Sequence, residues 1–247
     1  MNSNTFKSKL SVEETKINLV TDISFHNLND YIFNIRSTIK DYMKRHPIFS
    51  GSFEPVIVDD SAPNIIKRMC DASSVAGVGP TACLAGTIAE FSRDYLISCG
   101  SKYSIVDNGG DISFVTDKDF ICGIYAGKSS LSGKLGFKFL AGEKLGICSS
   151  SATVGFSTSL GKSDVVTVIA DDTLFADALA TSIGNHVLGV DDETSVNNGL
   201  EFADNLNNYF KSALIIVNDT VGTIGNLPEI VKLNPSLEIN NFEEIDW

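Results

Sequence analysis

The sequence is short of the residues that most often announce a function. It has five cysteines and three histidines in 247 residues. Cys70, Cys83, Cys99, Cys122 and Cys148 are odd in number and form no CxxC pair, which argues against a zinc cluster and a disulfide framework. Reduced thiols, and so a cytoplasmic protein, are expected. Basic residues are scarce: 19 Lys and Arg stand against 31 Asp and Glu, a net charge of −12. That balance excludes a nucleic-acid backbone as partner, since phosphates are held through clustered Lys and Arg. It also disfavours an anionic membrane surface. No apolar run approaches the roughly 18 residues of a membrane span. Met1 to Leu10 carry neither an apolar signal segment nor a lipid-attachment cysteine, so no membrane contact is expected. No Ser-His-Asp arrangement, nucleotide-loop fingerprint or 20–50-residue repeat stands out.

What remains is a globular composition, 43% hydrophobic and 20% charged. Alternation over 15–23 reads as a strand. Leu28, Tyr31, Ile35, Ile39 and Tyr42 keep helical spacing over 27–45, up to His46-Pro47. Further helices are expected at 63–72, 80–98, 173–188 and 197–210. Strands are expected at 103–107, 111–116, 120–126, 135–140, 164–170, 212–217 and 220–224. An acidic tail follows from about 228. Strands are grouped between helices instead of alternating with them, which indicates α+β, with antiparallel-rich sheets packed against helices. One domain over 1–247 is expected, with strand and helix 15–46 packed on a core spanning 75–190.

Three segments could carry chemistry. In the helix at 80–98, Leu84, Ile88, Phe91 and Tyr95 form an apolar stripe. The opposite face holds Ala82, Ala85, Gly86, Ala89, Glu90 and Arg93. So bare a face admits a neighbouring helix, a sheet or a flat ligand. The preceding Gly77-Val78-Gly79-Pro80 suits an anion at a helix N-terminus. The second segment is Asp107-Asn108-Gly109-Gly110-Asp111 between two strands. Asn-Gly is a strong hairpin signal, and consecutive glycines leave amides open to a phosphate or ring edge. The third lies in the helix at 173–188, where Asp177 and Thr181 are four apart and share one face. Their stripe is otherwise Leu174, Gly184 and Leu188, and no Lys or Arg lies three or four positions from Asp177. A buried carboxylate there needs a remote partner or a hard cation that takes oxygen ligands. Cys148-Ser149-Ser150-Ser151 adds hydroxyls that could ring a phosphate or end a strand.

Together these blocks resemble the ApbE-like superfamily, whose characterised members are magnesium-dependent FAD:protein FMN transferases. Ala82-Cys83-Leu84-Ala85-Gly86-Thr87-Ile88-Ala89-Glu90 is similar to the family's small-residue helix. Asn108-Gly109-Gly110-Asp111 resembles its flavin-site turn, and Ala176-Asp177-Ala178-Leu179-Ala180-Thr181 its metal-binding helix. Gly77–Pro80, Asp107–Ile112, Cys148–Ser151 and Ser159–Asp164 more closely resemble a stand-alone branch, over most of the chain including the helix with Arg36. The resemblance implies an ApbE-like (T-fold-like) architecture. It implies magnesium on Asp177, Thr181 and the Ala82 carbonyl, and FAD against Asn108, Gly109, Gly110 and Asp111, with Gly79, Ser149, Ser150 and Ser151 in the same site. The chain departs from the family at Ala85, where transferases carry Lys, and at Phe156, where the branch carries His. It also lacks a His-x-x-Asp-Pro segment after Phe156.

The resemblance therefore implies a flavin-nucleotide partner and a choice of readings. One is FMN transfer from FAD to a Ser or Thr of an acceptor protein. Others are a cytoplasmic reaction on a different phosphorylated or carboxylated metabolite, and a non-catalytic flavin-binding module. Ser151-Ala152-Thr153 faintly resembles a flavin acceptor, which adds self-modification. A homo-oligomer is compatible with all of them. With a charge of −12, an anionic flavin nucleotide would need local compensation, so metal dependence is expected.

Overall fold

The computed structural model describes residues 5–25, 27–127, 129–151 and 161–233. Two sheets and six α-helices are built from them. The larger sheet has eight strands in the order β1 (Phe6–Val12), β2 (Thr15–Thr21), β3 (Ser104–Asn108), β4 (Asp111–Val115), β7 (Lys144–Ser150), β8 (Val165–Ala170), β9 (Ser212–Val217) and β10 (Thr220–Gly225). The smaller has β11 (Glu229–Lys232), β6 (Leu135–Phe139) and β5 (Phe120–Gly123). Neighbouring strands pair antiparallel throughout both sheets. The α+β expectation holds.

The helices are α1 (Leu28–Arg45), α2 (Pro47–Gly51), α3 (Asn64–Ala76), α4 (Leu84–Ser98), α5 (Thr173–His186) and α6 (Asp192–Asp204). Both faces of the central strands are covered, which explains why every residue of β8 is buried. Val166, Val168 and Ala170 join the core under the helices, and Val165 and Ile169 join the core under the small sheet. A third core joins Leu10, Ile17, Leu19 and Val106 of the sheet to α1 and α4 through Leu28, Ile32 and Ile88. β2 and α1 thus pack against β3 and α4.

Several elements differ from the sequence reading. Strand β7 was not expected, because Gly146 and the serines interrupt its pattern. A Cβ on Gly146 would lie 2.4 Å from the Thr173 Cα, so the glycine makes room for the start of α5. Strand β1 is an edge strand carrying Lys7 and Lys9, whose charge masks its alternation. Residues 229–232, read as tail, pair with β6. Helix α6 begins at Asp192, earlier than expected, because the Asp191 side chain accepts the Thr194 N–H at 2.7 Å and caps it. Residues 80–83 form a separate 3-10 turn ahead of α4.

Candidate functional site

A cavity of about 600 Å³ opens between the 3-10 turn, α4, α5, the hairpin β3–β4 and the β1–β2 turn. It gathers Gly79, Ala82, Asn108, Asp111, Ser149, Ser150, Asp177 and Thr181. The other three expected site residues, Gly109, Gly110 and Ser151, line a smaller cavity of about 180 Å³ that shares Ser149 with the first. Phe156, Ser159 and the Ala152-Thr153 pair lie outside the described residues.

The hairpin turn differs from the expected Asn-Gly turn by one residue. Asn108 pairs with Asp111, leaving Gly109 and Gly110 as its centre, at φ +73° and +102°. Both positions need the left-handed region that glycine enters without strain. The second glycine is therefore required by the turn itself. The Gly110 N–H donates to Asp107 Oδ1 at 2.9 Å, and Asp107 Oδ2 accepts from Asn18 at 3.0 Å. Asp107 fixes the turn, and the Gly110 amide is spent inside it. Asn108, now the last strand residue, donates its side-chain amide to the Ala85 carbonyl at 3.0 Å and ties the hairpin to α4.

The bare face of α4 has two uses along its length. Ala82 and Ala85, at its start, line the cavity. Gly86 packs on α5: a Cβ there would sit 2.7 Å from the Asp177 Cβ and 2.8 Å from the Thr173 carbonyl oxygen. This close approach lets the Gly86 N–H donate to Asp177 Oδ2 at 2.8 Å. Gly86 is in the first turn of α4, where amides have no intrahelical acceptor. The Gly86 amide is thus engaged by the protein's own carboxylate. The apolar stripe is only partly covered, with Tyr95 stacked on Tyr31 at 4.4 Å between ring centroids.

Asp177 is buried and its carboxyl is pushed well above the usual carboxylate range, first by burial and then by the Asp111 charge, with the Gly86 N–H opposing. Asp111 is pushed up to about 7, chiefly by burial; the Cys148 thiol and Ser149 N–H pull it back, and the Asp107 charge pushes it further. Its Oδ1 is buried without a hydrogen-bond partner. The Cys148 thiol is itself held neutral by burial and by Asp111 and Asp177. Two carboxyls with raised pKa values therefore face one cavity, and among the described residues that line it Arg36 supplies the one basic side chain. Arg36 is engaged elsewhere, donating to Glu13 Oε2 at 3.1 Å and to Glu14 and Thr15. The donor set suits a hard cation: carboxylate oxygens, the Thr181 hydroxyl and the Ala82 carbonyl are the ligand types such an ion takes.

Several lining residues escaped the sequence reading. Asn185 lies one turn beyond Thr181, so extending the four-residue spacing 177, 181, 185 would have found it. Thr15, Ser52 and Phe53 carried no local signal. Ser52 belongs there because its carbonyl crosses Gly79, 1.9 Å from where a Cβ would stand.

A family model described as AbpE bacteria matches residues 2–200. The chain belongs to that family, within the ApbE-like superfamily. Proteins described as UPF0280 share its length. One from Methanothermobacter thermautotrophicus is 44% identical over 90% of this chain and 87% of its own. Another from Methanobrevibacter smithii is 45% identical over 90% of this chain and 94% of its own. Among solved structures, the apo form of the flavinyl transferase ApbE of Pseudomonas stutzeri matches with a TM-score of 0.58 at 11% identity, over 92% of this chain and 95% of its own. An ApbE protein from Thermotoga maritima matches with a TM-score of 0.58 at 14% identity, over 89% and 96%. These likenesses establish the ApbE fold for this family member. Among the described residues no single helix is long and apolar enough to cross a membrane.

Proposed function

We propose that this family member binds a flavin nucleotide together with a magnesium ion and transfers FMN from FAD to a Ser or Thr hydroxyl of an acceptor protein. The observation that carries the reading is that the buried Asp177 and the half-buried Asp111, whose Oδ1 is buried without a partner, face one cavity with no base between them. Such a pair is costly to ionise without a positive partner. Asp177, Thr181, Ala82 and Asp111 would hold the cation. When bound, it supplies neutralisation of pyrophosphate charge and activation of the phosphorus. In the transfer, the acceptor hydroxyl oxygen would form a bond to the FMN phosphorus and lose its proton to solvent, while the bond to the AMP oxygen breaks and AMP leaves.

The chain's own residues have definite parts in this reading. Gly86 orients the Asp177 carboxylate through its amide, and Asn108 locks the turn that presents Asp111. Ser149 and Ser150 line the cavity from the end of β7, with the Ser149 hydroxyl 2.9 Å from the Thr167 hydroxyl. The whole chain acts as one cytoplasmic domain.

A second reading, action on another small phosphorylated or carboxylated metabolite, is favoured by one observation. Ala85 occupies the cavity wall where transferases of the superfamily carry Lys, and the described residues there supply no other lysine. Incubation of the protein with FAD, Mg2+ and a candidate acceptor protein distinguishes the two. Transfer predicts AMP release and covalent flavin fluorescence on a denaturing gel. Neither product, together with thermal stabilisation by small phosphorylated acids but not by FAD, rejects transfer in favour of the second reading.

A further inference from the structure

Helices α4 and α5 cap each other with carboxylates. Asp177, on α5, accepts the first-turn amide of Gly86 on α4. In return Glu90, on α4, accepts the Thr173 N–H and, at 3.4 Å, the Leu174 N–H at the start of α5. Gly86 and Glu90 are four apart, as are Thr173 and Asp177, so the two contacts stand one turn apart along antiparallel helices. Asp172, the residue placed to cap α5 locally, makes no capping bond and pairs with Arg68 at 3.2 Å instead. Arg68 also donates to Glu90 Oε1 at 2.6 Å, giving the buried Glu90 carboxylate a counter-charge. The start of α5 is pinned a third time, by Thr173 Oγ1 donating to Ser113 Oγ at 2.8 Å. Ser113 is two residues beyond Asp111 on β4, hence on the same strand face.

We propose that Glu90 is a positioning residue for the cation site. By fixing the first turn of α5, it holds the Asp177 carboxylate one turn on, opposite Asp111. The inference rests on the cation reading above. Glu90 is not among the residues lining the cavity, so it acts through Asp177. Residues that orient metal ligands from behind commonly change affinity by about 10- to 100-fold when removed.

The test separates positioning from mere capping. Asp191 caps α6 with its own side chain, so Asp191→Ala removes a helix cap remote from the cavity lining. Mn2+ binding is titrated by electron paramagnetic resonance on the full chain carrying Glu90→Gln, Glu90→Ala or Asp191→Ala. Both Glu90 variants should bind Mn2+ about 10-fold more weakly or worse. Asp191→Ala should lower the melting temperature and leave Mn2+ affinity within about twofold, as expected of independent sites. Wild-type affinity in a folded Glu90→Ala, or an equal loss in Asp191→Ala, overturns the proposal. Should Glu90→Ala fail to fold, hydrogen exchange of the Gly86 amide in Glu90→Gln decides. Exchange about 10-fold faster than wild type supports the coupling, and unchanged protection overturns it. A wild-type protein that binds no Mn2+ rejects the cation reading itself, a result distinct from loss of binding confined to the Glu90 variants.

Discussion

The two charged ends of the cavity are built on opposite principles. At the outer end, Arg36 and Lys40 meet Glu13 and Glu14 in a four-membered cluster, each charge matched by another. The carboxyls of Glu13 and Glu14 are drawn below the usual range, first by hydrogen bonds from Lys40. At the inner end burial raises both Asp111 and Asp177, the Asp111 charge raises Asp177 further, and the pull against them comes from amides and a thiol. A compensated cluster ties architecture together, here the β1–β2 turn to α1. An uncompensated buried pair is unfavourable alone and marks the place where something positive is missing.

The sharpest way to break this contrast is Asp177→Asn. Asn keeps an acceptor for the Gly86 N–H but loses the charge, so Mg2+ or Mn2+ affinity should fall by about 100-fold or more, past the range seen for outer residues. Isothermal titration reads the loss; undiminished binding would move the cation site elsewhere. Gly86→Ala should come next. Its methyl would press on Asp177 and Thr173, overpacking the seam by about 1–3 kcal/mol, visible as a lower urea midpoint with weakened cation binding.

A pH experiment sharpens the same point. Asp111 and Asp177 have raised pKa values in the folded chain, so the folded state binds more protons than the unfolded one. Their favourable contribution is complete below the ordinary carboxyl range, about pH 4, and is lost as pH rises through about 7, where Asp111 titrates. Asp111→Asn should therefore melt above the wild type in EDTA, by a margin that widens from pH 5 to pH 8. Saturating Mg2+ should close or reverse that margin. A pH-independent margin would show that folding does not raise the Asp111 carboxyl. The smallest effect belongs to the outer end: Arg36→Gln should loosen the β1–β2 turn yet leave cation affinity within about twofold. A large loss there would dissolve the distinction between the two ends.

Much of this site was legible in the chain. The spacing of Asp177 and Thr181, the missing base nearby and the glycine-rich turn before Asp111 marked three segments that do meet in one cavity. The reading failed where the reason for a residue lay in a remote neighbour. Gly110 was read as an amide donor for a ligand, but Asp107 takes its N–H. Gly146 hid a strand because Thr173, 27 positions away in sequence, needs the space. Glu90 looked like one acid on a bare helix face, since its role exists only where α5 begins.

By itself the sequence determined the α+β class, most of the elements and the residue types suited to a hard cation, because periodicity, turn chemistry and ligand preference are local properties. Tertiary structure alone decided that Asp111 faces Asp177, that α4 and α5 cap each other, and that Arg36 is neutralised before it can balance the pair. Those facts depend on distances between segments far apart in the chain, and the energy of a buried charge is set by what stands across from it.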